Sequence, residues 1–157
     1  MRKKWYYIGV LFTGSLLTAC TTDEVSNPQS MSADNQSHST EALIIQELLE
    51  ENLSFATYEN IDGYLSTVSQ KGHESTREAM LNFFEHYDVS HTLLHFEVVQ
   101  EELDEVVAKT RQKSEGTSQL KDAEYKNHIA EVLHVFIKEQ DSWKIEESSI
   151  TDIMFTE

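Results

Sequence analysis

The chain has 157 residues, with 28 acidic and 12 basic side chains and a formal net charge of −16. A surface this acidic repels phosphate backbones and anionic lipid heads, so neither nucleic acid nor charge-driven membrane docking is expected. Apolar residues make up 39% of the chain, which is enough for one ordinary core. A single cysteine excludes an internal disulfide, so stability must come from that core.

The N-terminus has the pattern of an export signal. Residues 1–4 are basic and carry no acid, and residues 5–16 form an apolar stretch softened by Gly, Thr and Ser. That stretch is shorter than the roughly 20 apolar residues that a membrane-spanning helix needs. A cleaved signal peptide is therefore predicted, with an uncleaved signal anchor as the alternative.

The tetrapeptide Leu17-Thr18-Ala19-Cys20 follows directly and resembles the bacterial lipobox. The resemblance implies that a signal peptidase recognises Leu17, Thr18 and Ala19, cleaves after Ala19, and leaves a diacylglycerol on the Cys20 thiol. Each buried lipid CH₂ contributes roughly 0.8 kcal/mol, so two acyl chains anchor a protein firmly. The expected location is the outer face of the cell membrane, after export.

Composition divides the chain into three parts. Residues 1–19 are the predicted signal peptide, and residues 20–39 are the lipidated cysteine with a polar, disordered tether. Such a tether cannot bury enough apolar area to fold and would span roughly 25 Å as a flexible chain. Residues 40–157 are predicted to form one folded domain.

Helical periodicity dominates the first part of this domain. Three helices are predicted, over 40–57, 60–69 and 76–86. Ser39 or Thr40 can cap the first helix and Asn60 the second, while Ser75 and Glu78 fit a capping box for the third. Gly72 is expected to close the second helix.

After Asp88 the apolar period changes from 3.6 to 2, which predicts strands. Four strands are predicted, over 91–100, 106–113, 126–138 and 143–153. On the first strand, one face is expected to carry Leu94, Phe96 and Val98, and the other face Leu93, His95, Glu97 and Val99. Helices followed by a strand meander indicate an α+β fold, with helices packed on one face of a curved antiparallel sheet.

This arrangement resembles the nuclear transport factor 2-like (SnoaL-like) superfamily over roughly 41–153. The resemblance is carried by the long first helix, the segments 59–69 and 75–88, the paired long strands and the turn-Trp-Lys-Ile hairpin within 141–150. It is similar to uncharacterised members from Gram-positive bacteria. The resemblance implies a cone in which helices wrap a strongly bent sheet around a cavity. Members include isomerases, dehydratases, cyclases, proteins without known catalysis and many homodimers, so the fold alone does not give the function.

Catalytic members of the superfamily hold an acid or a His–Asp pair inside the cone. The candidates here are His95, His134 and Tyr64, none of which lies in a recognisable catalytic motif. His128 shares a strand face with His134, but six residues of strand separate them by about 20 Å, too far to act on one substrate atom. Surface or cross-strand packing roles are expected for these histidines.

Neither a metal nor a cofactor is expected. His91 and His95 have a spacing that suits zinc on a helix, but on a strand they stand about 13 Å apart. The acidic run 101–105 lacks the alternation of a calcium loop, and no glycine-rich nucleotide motif occurs.

The leading hypothesis for the domain is therefore a non-catalytic binding or scaffold role. Its partner would be a small apolar ligand in the cone or another protein. Two alternatives stay open: an isomerase or lyase that uses a buried carboxylate or histidine, and a structural homodimer with a filled cone.

Overall fold

The computed structural model describes residues 39–117 and 125–156. The predicted signal peptide, the lipobox with Cys20 and the tether up to residue 38 lie outside the described residues. The helices are α1 (Thr40–Thr57), α2 (Ile61–Thr67) and α3 (His73–His86), with a single 3-10 turn (Gln70–Gly72) between the last two. No described helix has both the length and the apolar character that a membrane crossing requires.

The strands form one antiparallel sheet in the order β1-β2-β3-β4. Their bounds are β1 (Val89–Glu101), β2 (Glu105–Gly116), β3 (His128–Glu139) and β4 (Ser142–Phe155). The predicted α+β order of three helices followed by a four-stranded meander is confirmed. Strands β1, β2 and β4 are longer than predicted, whereas β3 starts two residues later than predicted. Strand β2 runs on to Gly116, beyond its predicted end at residue 113.

Helix α1 has the predicted bounds because its cap and its apolar stripe agree. The Ser39 hydroxyl accepts a hydrogen bond from the Ala42 backbone N–H at 3.0 Å, which satisfies one of the free donors at the helix start. The stripe of α1 packs on the inner face of the sheet and forms the core, whose buried members are Ile45, Leu49, Leu53, Phe96, Val106, Ala108, Phe136, Trp143 and Ile145.

Helix α2 is capped by Asn60 as predicted, since its side chain accepts from the Gly63 N–H at 3.0 Å. It ends at Thr67 rather than at residue 69, because Val68 is extended and bridges to Ile145 of β4. The Ser69 N–H then donates to the Ile145 carbonyl at 2.9 Å. This contact fixes the end of α2 to the edge of the sheet.

The predicted start of α3 is wrong. The 3-10 turn leads directly into the helix at His73, so Gly72 precedes α3 instead of closing α2. Ser75 therefore lies within the first turn, where its hydroxyl donates to the Gly72 carbonyl at 3.1 Å. The capping box proposed for Ser75 and Glu78 is absent because both residues are already inside the helix.

The face assignment on β1 is also corrected. Leu93 pairs with Gln112 and His95 with Arg111, so Leu94 is an extra residue in a β-bulge. The bulge shifts the alternation by one position. Leu93 consequently packs against the core, and Leu94 is 45% exposed. Strict alternation predicted the reverse, with Leu94 on the face of Phe96 and Val98 and Leu93 on the other face.

Candidate functional site

A cavity of about 390 Å³ lies between the three helices and the inner face of the sheet. Its helical walls come from α1, α2 and α3, which contribute apolar side chains such as Leu53, Met80 and Phe83. Its floor comes from β2, β3 and β4, where residues two apart face the same side. The described lining residues include no Asp, Glu, Lys or Arg.

The polar part of the floor is centred on His134. This side chain is 4% exposed and lies opposite Ser148 in the sheet register. Its Nδ1 is 2.8 Å from Ser148 Oγ, and its Nε2 is 2.7 Å from Gln112 Nε2 and 3.2 Å from Thr110 Oγ1. All three partners are uncharged, so the imidazole is surrounded by neutral hydrogen-bonding groups.

The direction of these hydrogen bonds follows from the chemistry of the groups. An amide nitrogen can only donate, so Gln112 Nε2 donates to His134 Nε2, which must be unprotonated. The neutral ring then carries its proton on Nδ1 and donates it to Ser148 Oγ. In this orientation of the amide, the Ser148 hydroxyl hydrogen and the Gln112 carbonyl oxygen stay available at the cavity wall.

Burial keeps His134 uncharged. Desolvation lowers the pKa of His134 to about 4, and no carboxylate is among its described partners to oppose that shift. Burial also lowers the pKa of His91 to about 4, with the nearby His128 as a second cause. At neutral pH His134 and His91 are therefore uncharged.

The mouth of the cavity is aromatic. His91 Nδ1 is 3.0 Å from Ser114 Oγ, and its ring lies against Phe83 with centroids 6.4 Å apart. The Tyr125 ring contacts Phe83 at 6.3 Å and His128 at 5.7 Å. These ring contacts, one edge-to-face and two tilted, form an apolar rim with a few polar tips.

Tyr64 is positioned by a close approach of two helices. A Cβ on Gly63 would overlap the Phe55 ring, so α2 can pack this closely on α1 only with glycine at that position. The Asn52 amide donates to Thr67 Oγ1 at 2.7 Å and joins the same two helices inside the protein. Burial raises the pKa of the Tyr64 hydroxyl, and hydrogen bonding with Asn52 partly offsets the effect.

A second depression lies on the outside, between α1 and the β3–β4 turn, with a volume of about 460 Å³. Its centre is Glu41, which accepts from Trp143 Nε1 at 2.6 Å and from Lys138 Nζ at 3.3 Å. The bond from Trp143 is the main cause that lowers the pKa of Glu41. Solvated charged side chains dominate this groove, so the inner cavity is the better candidate for a ligand site. Trp143 itself is buried in the core at the start of β4.

A known protein family matches most of this chain. The sequence model of the family described as "Anti-sigma-I factor RsgI9, C-terminal domain" matches residues 47–156. The chain belongs to this family. No curated protein matches the chain.

Solved structures show that this member of the RsgI9 C-terminal domain family has a known fold. A cystatin-like-fold protein of unknown function from Nostoc punctiforme superposes with a TM-score of 0.58 at 18% identity, covering 69% of this chain and 87% of its own. A ketosteroid isomerase-like protein from Erwinia carotovora atroseptica gives 0.59 at 17% identity, with 73% and 99% covered. A nuclear transport factor 2-like protein of unknown function from Pseudomonas putida gives 0.55 at 11% identity, with 70% and 84% covered. At these identities the likeness shows the fold, and the predicted nuclear transport factor 2-like fold is confirmed.

Two of the three candidate residues lie together in this member of the RsgI9 C-terminal domain family. Tyr64 and His134 line the cavity, from α2 and β3. His95 lies elsewhere: its side chain is exposed, and its Nε2 is 3.9 Å from Glu97 Oε2. The sequence reasoning did not identify Gln112 and Ser148, which become partners of His134 only through the register of β2, β3 and β4.

No group of three or more His, Cys, Asp or Glu side chains is placed to hold a metal ion within 39–117 and 125–156. The sequence expectation of a metal-free, cofactor-free domain stays a prediction.

Proposed function

We propose that this protein is an exported lipoprotein whose nuclear transport factor 2-like domain binds a small apolar ligand without transforming it. The observation that supports binding is the cavity itself, which combines apolar helical walls with a short neutral polar floor. Cavities of this size and lining are typical of small-molecule sites.

The chemistry of the floor favours binding over catalysis. The contact between His134 and Ser148 has the spacing of a base and a nucleophile. A general base works best when its pKa lies near the working pH, and burial lowers the pKa of His134 to about 4. The isomerase or lyase alternative would rest on this weak base, because no carboxylate is among the described lining residues.

The family description supports the same choice. It names the C-terminal domain of an anti-sigma-I factor, which indicates a regulatory role. A domain that holds a ligand without turning it over suits a regulatory context. We therefore rank the binding role above the enzymatic one.

Binding is tested with the uncharged fluorophore N-phenyl-1-naphthylamine and the full-length chain carrying Cys20→Ser. Its fluorescence should rise on saturable binding. The substitution Ile150→Glu should abolish the rise, because Ile150 lines the cavity yet is 59% exposed and tolerates a polar side chain. The matched control is Met154→Glu on the same strand, also exposed at 53% but outside the cavity lining. Equal fluorescence in the two variants would contradict a ligand role for the cavity.

The anchor is tested separately. Cells grown with an alkyne-tagged fatty acid should label the wild-type protein, and Cys20→Ala should lose the label and leave the membrane fraction. A labelled, membrane-bound Cys20→Ala protein would refute the lipoprotein assignment.

A further inference from the structure

We infer that the ligand is an uncharged molecule that presents an amide or hydroxyl group to Ser148 and Gln112, with its apolar body against the helical wall. This inference rests on the proposed binding function and adds the chemical class of the ligand. It is carried by the hydrogen-bond directions on the floor and by the lack of charge among the described lining residues.

The polar end of the site offers one donor and one acceptor. Ser148 Oγ accepts from His134 Nδ1, which leaves its own hydrogen free to donate, and the Gln112 Nε2 hydrogens are used by Thr110 and His134. The Gln112 carbonyl oxygen can then accept. A ligand group that both accepts and donates, such as a carboxamide or a hydroxyl, satisfies both atoms at once.

Charged ligands are excluded by the surroundings. A carboxylate in the cavity would meet no Lys or Arg among the described lining residues, and an ammonium group would meet no Asp or Glu among them. Burying an unpaired charge is costly, and the charged form would be rejected relative to a neutral analogue of the same length. The neutral imidazole of His134 cannot compensate either charge.

The apolar body has a defined place. Leu53 of α1 and Phe83 of α3 face the floor from the helical side, and Val132 lies on the floor beside His134. The cavity is open towards the second half of β4, where Ile150 is exposed on its inner face opposite Val132. A ligand can therefore enter along β4 and leave its polar end at Ser148.

The experiment is a displacement series on the full-length Cys20→Ser chain with N-phenyl-1-naphthylamine as the reporter. The competitors are octanamide, octanoate and octylammonium, which share one chain length and differ in charge. Octanamide should displace the reporter at a concentration at least about tenfold lower than either ion requires, because burying an unpaired charge is costly. Ser148→Ala should lower the affinity for octanamide by about 3- to 10-fold, which is the effect of one lost hydrogen bond.

The control for Ser148→Ala is Ser149→Ala, which changes the neighbouring serine, a residue outside the cavity lining. It should leave the affinity for octanamide unchanged. If the reporter binds and Ile150→Glu blocks it, but the three competitors act equally or Ser148→Ala has no effect, the ligand class is wrong and the binding function stands. If the reporter does not bind at all, both proposals fail.

Discussion

His134 Nδ1 and Ser148 Oγ lie 2.8 Å apart across the β3–β4 pairing, in a position where the histidine is 4% exposed. The hydrogen bond joins a fully buried ring to an exposed hydroxyl. It therefore links the buried histidine of the cavity floor to a polar side chain that lines the cavity from β4.

Acid should destabilise the domain through this histidine. The pKa of His134 is about 4 in the folded protein and near 6.5 when unfolded, so the unfolded state binds more protons between these values. The contribution of His134 to the free energy of unfolding is complete above pH 6.5. It falls as the pH drops towards 4, by up to about 3 kcal/mol. His91 should add to the loss in the same direction.

The measurement is urea unfolding at pH 7 and pH 4.5. His134→Gln retains hydrogen-bonding capacity without titrating, so the drop in stability between the two pH values should be smaller than in the wild type. His95→Gln removes an exposed histidine and should leave the drop unchanged. An identical pH dependence in the wild type and His134→Gln would contradict the assigned role of burial.

Gly63 should be intolerant of a methyl group. Gly63→Ala would place a Cβ into the Phe55 ring and push α2 from α1, which should cost about 1 kcal/mol net, since overpacking outweighs the gain in helix propensity. Gly72→Ala is the matched control, because its Cβ would meet only Thr76 Oγ1 at 3.5 Å. Thermal unfolding compares the two variants. In a Phe55→Ala background the cost of Gly63→Ala should fall, with only the overlap of the added Cβ with Asn60 Nδ2 at 2.8 Å remaining. An unchanged cost would show that the Phe55 ring is not its cause.

The bulge on β1 predicts opposite results for two adjacent leucines. Leu93→Gln places a polar group against the core and should lower the free energy of unfolding by about 1–3 kcal/mol. Leu94→Gln changes an exposed side chain and should stay within about 0.5 kcal/mol of the wild type. Chemical denaturation of both variants gives the comparison. The reverse order of stabilities would restore the regular alternation predicted from the sequence.

Local patterns in the sequence predicted the elements whose causes are local. The bounds of α1, its Ser39 cap, the Asn60 cap and the order of the four strands follow from short-range periodicity and capping chemistry. The start of α3 was missed because a 3-10 turn joins it to the preceding segment, which a capping motif at Ser75 does not reveal.

The polar floor of the cavity could not be predicted from the sequence because the residues that form it lie far apart along the chain. His134 meets Gln112, 22 residues earlier, and Ser148, 14 residues later. Those pairings depend on the register of β2, β3 and β4 and on the bulges in β4, and one inserted residue moves a side chain to the other face of a sheet. The sequence indicated His134 and Tyr64 as individual residues but not the group to which they belong.

Histidine is the side chain with which proteins most often sense mild acidification. In this cavity burial lowers the pKa of His134 and of His91 to about 4, so these two histidines do not change charge through the pH changes that such sensors report. The protonation states of His134 and His91 should accordingly be the same at pH 7 and at pH 6. His134 therefore keeps the same hydrogen bonds to Ser148 and Gln112 at either pH.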